Sequence, residues 1–177
     1  VCAQTDDVNA AVEAALNSYK SRVLVDMLPM ERAKLMRSIA NELRAVSKEG
    51  GKLLCHENGK LLANAEYEFV DGANYFDYYS GMTDKLEGST IPVNTKVVDY
   101  TLLEPYGVSG HIIPWNFPIS MLARSLACAF AAGNSTVIKT AELTPLATAS
   151  FFAKAIDNAG VPPLSLIHIS EPTRHDQ

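Results

Sequence analysis

From Gly107 onward the chain alternates short β-branched runs with longer helical ones, joined by only a few residues. Gly107-Val108-Ser109-Gly110-His111-Ile112-Ile113 reads as a strand ended by Pro114. Pro118 sits at a favoured first helical position, and residues 119–132 behind it carry a single charge, Arg124. A helix apolar nearly all round belongs in an interior. Gly133-Asn134 closes it, Ser135-Thr136-Val137-Ile138-Lys139 reads as a second strand, and residues 145–158 read as a second helix with Gly160 and Pro162 beyond its end. This rhythm predicts parallel strands covered by helices, because a parallel pair needs a crossover and the apolar helix supplies it. The fold class is therefore α/β, and open sheets of this kind bind ligands outside the carboxyl ends of their strands. Two strands without a third would leave an open edge, so poor solubility is expected.

The upstream half reads as helices. Asp6 or Asp7 can cap a first one, in which Val8, Ala11, Val12, Ala15, Leu16 and Tyr19 recur at helical spacing. Pro29 opens a second, with Met36, Ile39, Ala40, Leu43 and Val46 on one stripe and Gly50-Gly51 expected to stop it. After the turn Asn58-Gly59, a third runs roughly over 64–84, where Phe69, Ala73, Phe76 and Tyr79 share a face. Val97, Val98, Tyr100, Leu102 and Leu103 suggest an extended ribbon. The aromatics at 67–79 read as helix packing rather than a base-stacking platform. With 15 Lys+Arg against 20 Asp+Glu the chain lacks the basic stripe that nucleic acid requires.

No apolar stretch approaches the ~20 residues of a membrane span, so no membrane partner is expected. Cys2, Cys55 and Cys128 lie far apart with no CxxC pair, which points to reduced thiols and a cytoplasmic location. Cys128, inside the apolar helix, reads as a packing residue. His56, His111, His168 and His175 have no ligand spacing, so no metal is expected, and His111 reads as structural.

Two clusters carry chemistry. In Ile112-Ile113-Pro114-Trp115-Asn116-Phe117-Pro118, Asn116 stands at the mouth of the sheet on a backbone stiffened by prolines. Its amide could donate to negative charge developing on a carbonyl oxygen, and the local sequence leaves a plain turn equally open. Lys139 and Glu142 end the next strand, where they could hydrogen-bond ribose hydroxyls or simply be a solvated pair. No GxGxxG or P-loop follows either strand.

Taken together, Glu104-Pro105-Tyr106-Gly107-Val108, residues 112–118, 131–139 and Glu142-Leu143-Thr144-Pro145-Leu146 resemble, in order and spacing, the N-terminal part of the NAD(P)-dependent aldehyde dehydrogenase superfamily. Glu31-Arg32, Asn58-Gly59-Lys60 and Tyr78-Tyr79-Ser80-Gly81 add to the likeness, which covers about residues 6–163. The resemblance implies N-terminal helices, a β-ribbon of the oligomerisation region at about 87–105, and the first strands and helices of a Rossmann-like cofactor-binding domain, incomplete. It implies that Asn116 helps hold the oxyanion, that Ile112, Ile113, Pro114 and Trp115 lie along the cofactor, and that Lys139 and Glu142 contact the adenosine ribose. The implied cofactor is NAD, with NADP possible, since a carboxylate at Glu142 repels a 2′-phosphate. The implied substrate is an aldehyde, oxidised to its acid, in a homodimeric or homotetrameric parent. The family's nucleophilic cysteine and its water-activating glutamate lie downstream of this stretch, so the chain alone is expected to be inactive. The competing reading is a non-catalytic nucleotide-binding or oligomerisation module.

The chain starts at Val1 without an initiator methionine and reads as a fragment of 1–163 followed by a tail of 164–177. Residues 164–174 depart from the family and resemble the conceptual translation of an adapter used in sequencing-library preparation. In-frame read-through is the expected origin, a divergent strand the alternative.

Overall fold

The computed structural model describes residues 3–163 and 165–169. Cys2, Leu164 and the tail from residue 170 lie outside the described residues. Four helices come first: α1 (Thr5–Lys20), α2 (Pro29–Ala45), α3 (Ser47–Asn58) and α4 (Leu62–Ser80). Carboxylates close the first two at their N-termini. The Gln4 N–H donates to Asp7 at 2.8 Å, and the Leu28 N–H donates to Glu31 at 3.2 Å. Pro29 occupies the first turn of α2, as its fixed φ predicts.

Gly50 and Gly51 do not stop a helix. They lie inside α3 and are buried against α4. A Cβ on Gly50 would fall 2.4 Å from the Phe69 ring, and one on Gly51 would fall 2.7 Å from the Glu66 Cα. The pair therefore permits close contact between two helices, which outweighs the roughly 1 kcal/mol that each glycine costs in a helix interior.

An antiparallel ribbon follows, β1 (Thr90–Asn94) against β2 (Val97–Tyr100), with every residue exposed. Then come β3 (Val108–Ile112), α5 (Pro118–Ala131) and β4 (Ser135–Lys139). A π-helical turn (Ala147–Phe152) runs into α6 (Ala153–Asn158), and β5 (Leu166–Ile169) ends the described chain. The sheet order is β3-β4-β5, all parallel, in register from Val108↔Ser135 to Ile112↔Lys139. The sheet thus has three strands where two were expected. The third pairs Thr136 with Leu166 and covers the outer edge of β4.

Side chains alternate across β4 and sort the core into two layers. Ile138 faces the main core, built from Met36, Leu43, Phe69, Phe76, Leu122, Phe130 and Phe152 of the helical side. Val137 faces α1, where it meets Ala11 and Ala15 together with Val108 and Ile167. Ser18 of α1 shares a 3.1 Å hydrogen bond with Ser165. The small residues of α1 touch the sheet, so its larger Val8, Val12 and Leu16 remain exposed, contrary to the stripe expected from sequence.

Helix α5 is buried as expected on most sides. The exception is the row of Arg124 and Cys128, four residues apart on the same outward face. Cys128 is therefore exposed rather than packed, and its thiol donates to the Ser125 carbonyl at 3.1 Å. The His111 ring is held between two hydroxyls, with Nδ1 3.0 Å from Ser125 Oγ and Nε2 2.9 Å from Ser109 Oγ, and burial lowers its pKa. Among the described residues no helix is long and apolar enough to cross a membrane, and no cluster of three metal-ligating side chains occurs.

Candidate functional site

The loop from β3 to α5 leaves the carboxyl end of the sheet beside the end of β4. The Ile113 N–H donates to the Lys139 carbonyl at 3.0 Å, so the two strand ends stay zipped one residue past β3. Beyond that point the side chains divide. Ile113 turns into the core, while Ile112, Pro114, Trp115, Asn116 and Phe117 are exposed. Of the residues expected along the cofactor, Ile113 can therefore offer only its backbone.

The exposed loop is held from below by the α3–α4 unit. Asn58 Nδ2 donates to the Trp115 carbonyl at 2.6 Å, and Lys60 Nζ donates to the Asn116 carbonyl at 2.8 Å. The same ammonium pairs with the Glu68 carboxylate and lies 4.6 Å from the centroid of the Phe117 ring. The second oxygen of Glu68 accepts the Ile119 N–H at 3.2 Å, one of the donors that the start of α5 leaves unsatisfied. Burial pushes the Glu68 carboxyl pKa up, and Lys60 opposes that shift.

The motif Asn58-Gly59-Lys60 carries no assigned role in the sequence alone, and no motif singles out Glu68. A signal was available. Ala65, Glu68, Phe69, Gly72, Ala73 and Phe76 form one buried stripe of α4, and a carboxylate on such a stripe needs a partner.

At the end of β4, Lys139 Nζ and Glu142 Oε1 stand 3.5 Å apart, with 32% and 47% of their side chains exposed. The loop that they begin is anchored at its far end. There Glu57, at the end of α3, accepts the Leu146 and Ala147 N–H groups at 2.9 and 3.1 Å.

Two hollows lie along these elements, one between α1 and the sheet and one between α4 and the start of α5. One, of about 500 Å³, is lined by Ile112, Lys139, Val108, Val137 and residues of α1. The other, of about 470 Å³, is lined by Phe117 and Met121 with Tyr67, Glu68 and Tyr75 of α4. Both are of ligand size and largely apolar, with charged groups at the rim. The α1-side hollow has a mostly apolar wall with the Lys139 ammonium at one end, and Glu142 stands beside that ammonium outside the lining. Asn116 lines neither hollow, and its loop meets the aromatic one through Phe117.

The aldehyde dehydrogenase family model matches residues 2–175. The chain is 40% identical over 159 residues to the mitochondrial aldehyde dehydrogenase family 2 member B4 of Arabidopsis thaliana, covering 89% of this chain and 29% of that protein. It is 39% identical to the hydroxyisobutyraldehyde dehydrogenase of Mycolicibacterium austroafricanum, covering 89% of this chain and 31% of that one. Among solved structures, the NAD+ complex of aldehyde dehydrogenase from Bacillus cereus matches with a TM-score of 0.91 at 35% identity, over 96% of this chain and 34% of that chain. The chain thus spans about a third of the length of the relatives it matches.

Proposed function

The chain belongs to the aldehyde dehydrogenase family, and on that premise we propose that its parent enzyme oxidises an aldehyde to the carboxylic acid, with NAD(P)+ as acceptor. The observation that carries this reading is the braced loop that presents an exposed Asn116 past the carboxyl end of β3, beside Lys139 and Glu142 at the end of β4.

In the proposed reaction each part of the site has one task. The cofactor lies at the strand ends along Ile112, Ile113, Pro114 and Trp115, with Lys139 and Glu142 at the ribose. When bound, the cofactor supplies the hydride acceptor. The aldehyde approaches from the side of Phe117 and Met121. Asn116 donates its amide N–H to the carbonyl oxygen as negative charge gathers there, an interaction stronger in the transition state than in the ground state. The attacking cysteine and the glutamate that activates water belong to the parent's downstream part. Glu142 disfavours a 2′-phosphate, which leans the site towards NAD, with NADP possible.

The ribbon β1–β2 supports assembly of the parent into a homodimer or homotetramer. Two strands alone are marginal, and Ile91, Val93, Val97, Val98 and Tyr100 are exposed on it. The alternative, a non-catalytic nucleotide-binding or oligomerising module, draws on the same ribbon. The free thiols Cys55 and Cys128 suit a reducing, cytoplasmic setting.

We further propose that the family sequence ends near residue 163 and that 164–177 is foreign to the parent. Strand pairing uses backbone groups, so a short apolar run can take the β5 position whatever its origin. A native gene that reads on unchanged past Pro163 contradicts this.

The test of function is aldehyde-dependent NADH formation by the purified parent and by the 177-residue chain. Turnover by the parent and none by the chain is expected. No turnover by the parent would leave the module reading standing.

A further inference from the structure

We propose that Lys60, held in place by Glu68, is a positioning residue that fixes Asn116 for its work at the oxyanion. The inference rests on the oxyanion reading given above and extends it to residues of the α3–α4 unit.

The geometry is economical. An ammonium has three protons, and this one meets the Glu68 carboxylate and the Asn116 carbonyl while sitting over the Phe117 ring. Glu68 uses its other oxygen on the Ile119 N–H. One ion pair thereby grips the chain at 116 and 117 and again at 119. Asn58 holds 115 from the same turn. The side chains of Lys60 and Glu68 are only 12% and 4% exposed, so little solvent competes for these bonds.

A pair buried to this degree is a poor device for stability alone. Desolvating two charges costs about as much as their attraction returns, and apolar replacements are often neutral or better. The pair does supply direction. It ties the residue that bears the donor amide to a rigid helix pair, and an oxyanion donor is effective only within a few tenths of an ångström of its place. A carbonyl held at 2.8 Å on the same residue restricts how far that amide can wander.

The test uses the full-length parent carrying Lys60→Met, Lys60→Arg, Glu68→Gln and Asn116→Ala. Lys60→Met keeps the stem over Phe117 and removes the charge. It is expected to lower kcat about tenfold or more, with the KM values for aldehyde and NAD little changed, as expected for loss of a charge-assisted bond. Glu68→Gln keeps the acceptor for Ile119 and should lower kcat in the same direction, while Lys60→Arg should recover part of the loss.

In the Asn116→Ala background, Lys60→Met should cost nothing further, because it acts through Asn116. Equal losses in both backgrounds, or no loss with Asn116 intact, would overturn the proposal. If Asn116→Ala itself leaves kcat unchanged, the oxyanion reading fails. The positioning claim is then decided on the 177-residue chain, whose only tryptophan is Trp115. Lys60→Met or Glu68→Gln should raise acrylamide quenching of Trp115 with an unaltered far-ultraviolet circular dichroism spectrum, and unchanged quenching with both variants overturns the claim.

Discussion

The loops after β3 and β4 leave neighbouring strands at the same end of the sheet, yet they are held in different ways. The β3 loop is gripped at Trp115, Asn116, Phe117 and Ile119 by Asn58, Lys60 and Glu68 of the α3–α4 unit. The β4 loop meets that unit at its far end, through Glu57, and its Lys139–Glu142 pair stands 3.5 Å apart and half in solvent. The difference matches the two tasks. A donor to a transient charge must be fixed before the charge appears, whereas ribose hydroxyls can be met by side chains that adjust.

The largest effect should come from the platform beneath the β3 loop. Phe69 fills the seam opened by Gly50, and Phe69→Ala should lower the unfolding free energy by about 3–5 kcal/mol, as read by urea denaturation, and shift the emission of Trp115 by loosening the loop that carries it. A loss below about 1 kcal/mol would mean that α3 and α4 do not act as one support.

Next is the anchor of the other loop. Glu57→Ala leaves the Leu146 and Ala147 N–H groups without their carboxylate and should cost about 1–2 kcal/mol. Because its contacts lie on the β4 side, Trp115 emission should not move. A shift there would show that the two loops are mechanically one.

The smallest effect is a pH response. Burial lowers the pKa of His111 from its ordinary 6.5, so the unfolded chain takes up a proton before the folded one does. Stability from this residue is complete above that ordinary value and is lost as the pH falls below it towards the lowered folded value. His111→Gln should flatten the pH dependence of the unfolding midpoint in that window. An identical slope in the variant would show that the ring contributes nothing.

Much of this arrangement was legible because it is local. Pro118 announces the start of α5, Gly133-Asn134 its end, and the β-branched run 135–139 becomes the central strand. What stayed hidden depends on residues far apart in sequence. Gly50-Gly51 reads as a stop until Phe69 and Glu66 of α4 are brought against it. Cys128 reads as core until the packing of α5 decides which row faces out. Lys60 and Asn116 are 56 positions apart, and no periodicity links a turn lysine to a loop asparagine. The chemistry of Asn116 was suggested by its place between two prolines, but the brace that makes the place useful appears only when α3 and α4 pack beneath it.

The most direct measurement is the kcat of the full-length parent carrying Asn116→Ala. If Asn116 holds the oxyanion, kcat falls about 10²–10³-fold with little change in the KM for aldehyde, the loss typical of removing one such donor. A kcat equal to that of the unaltered parent would contradict the account.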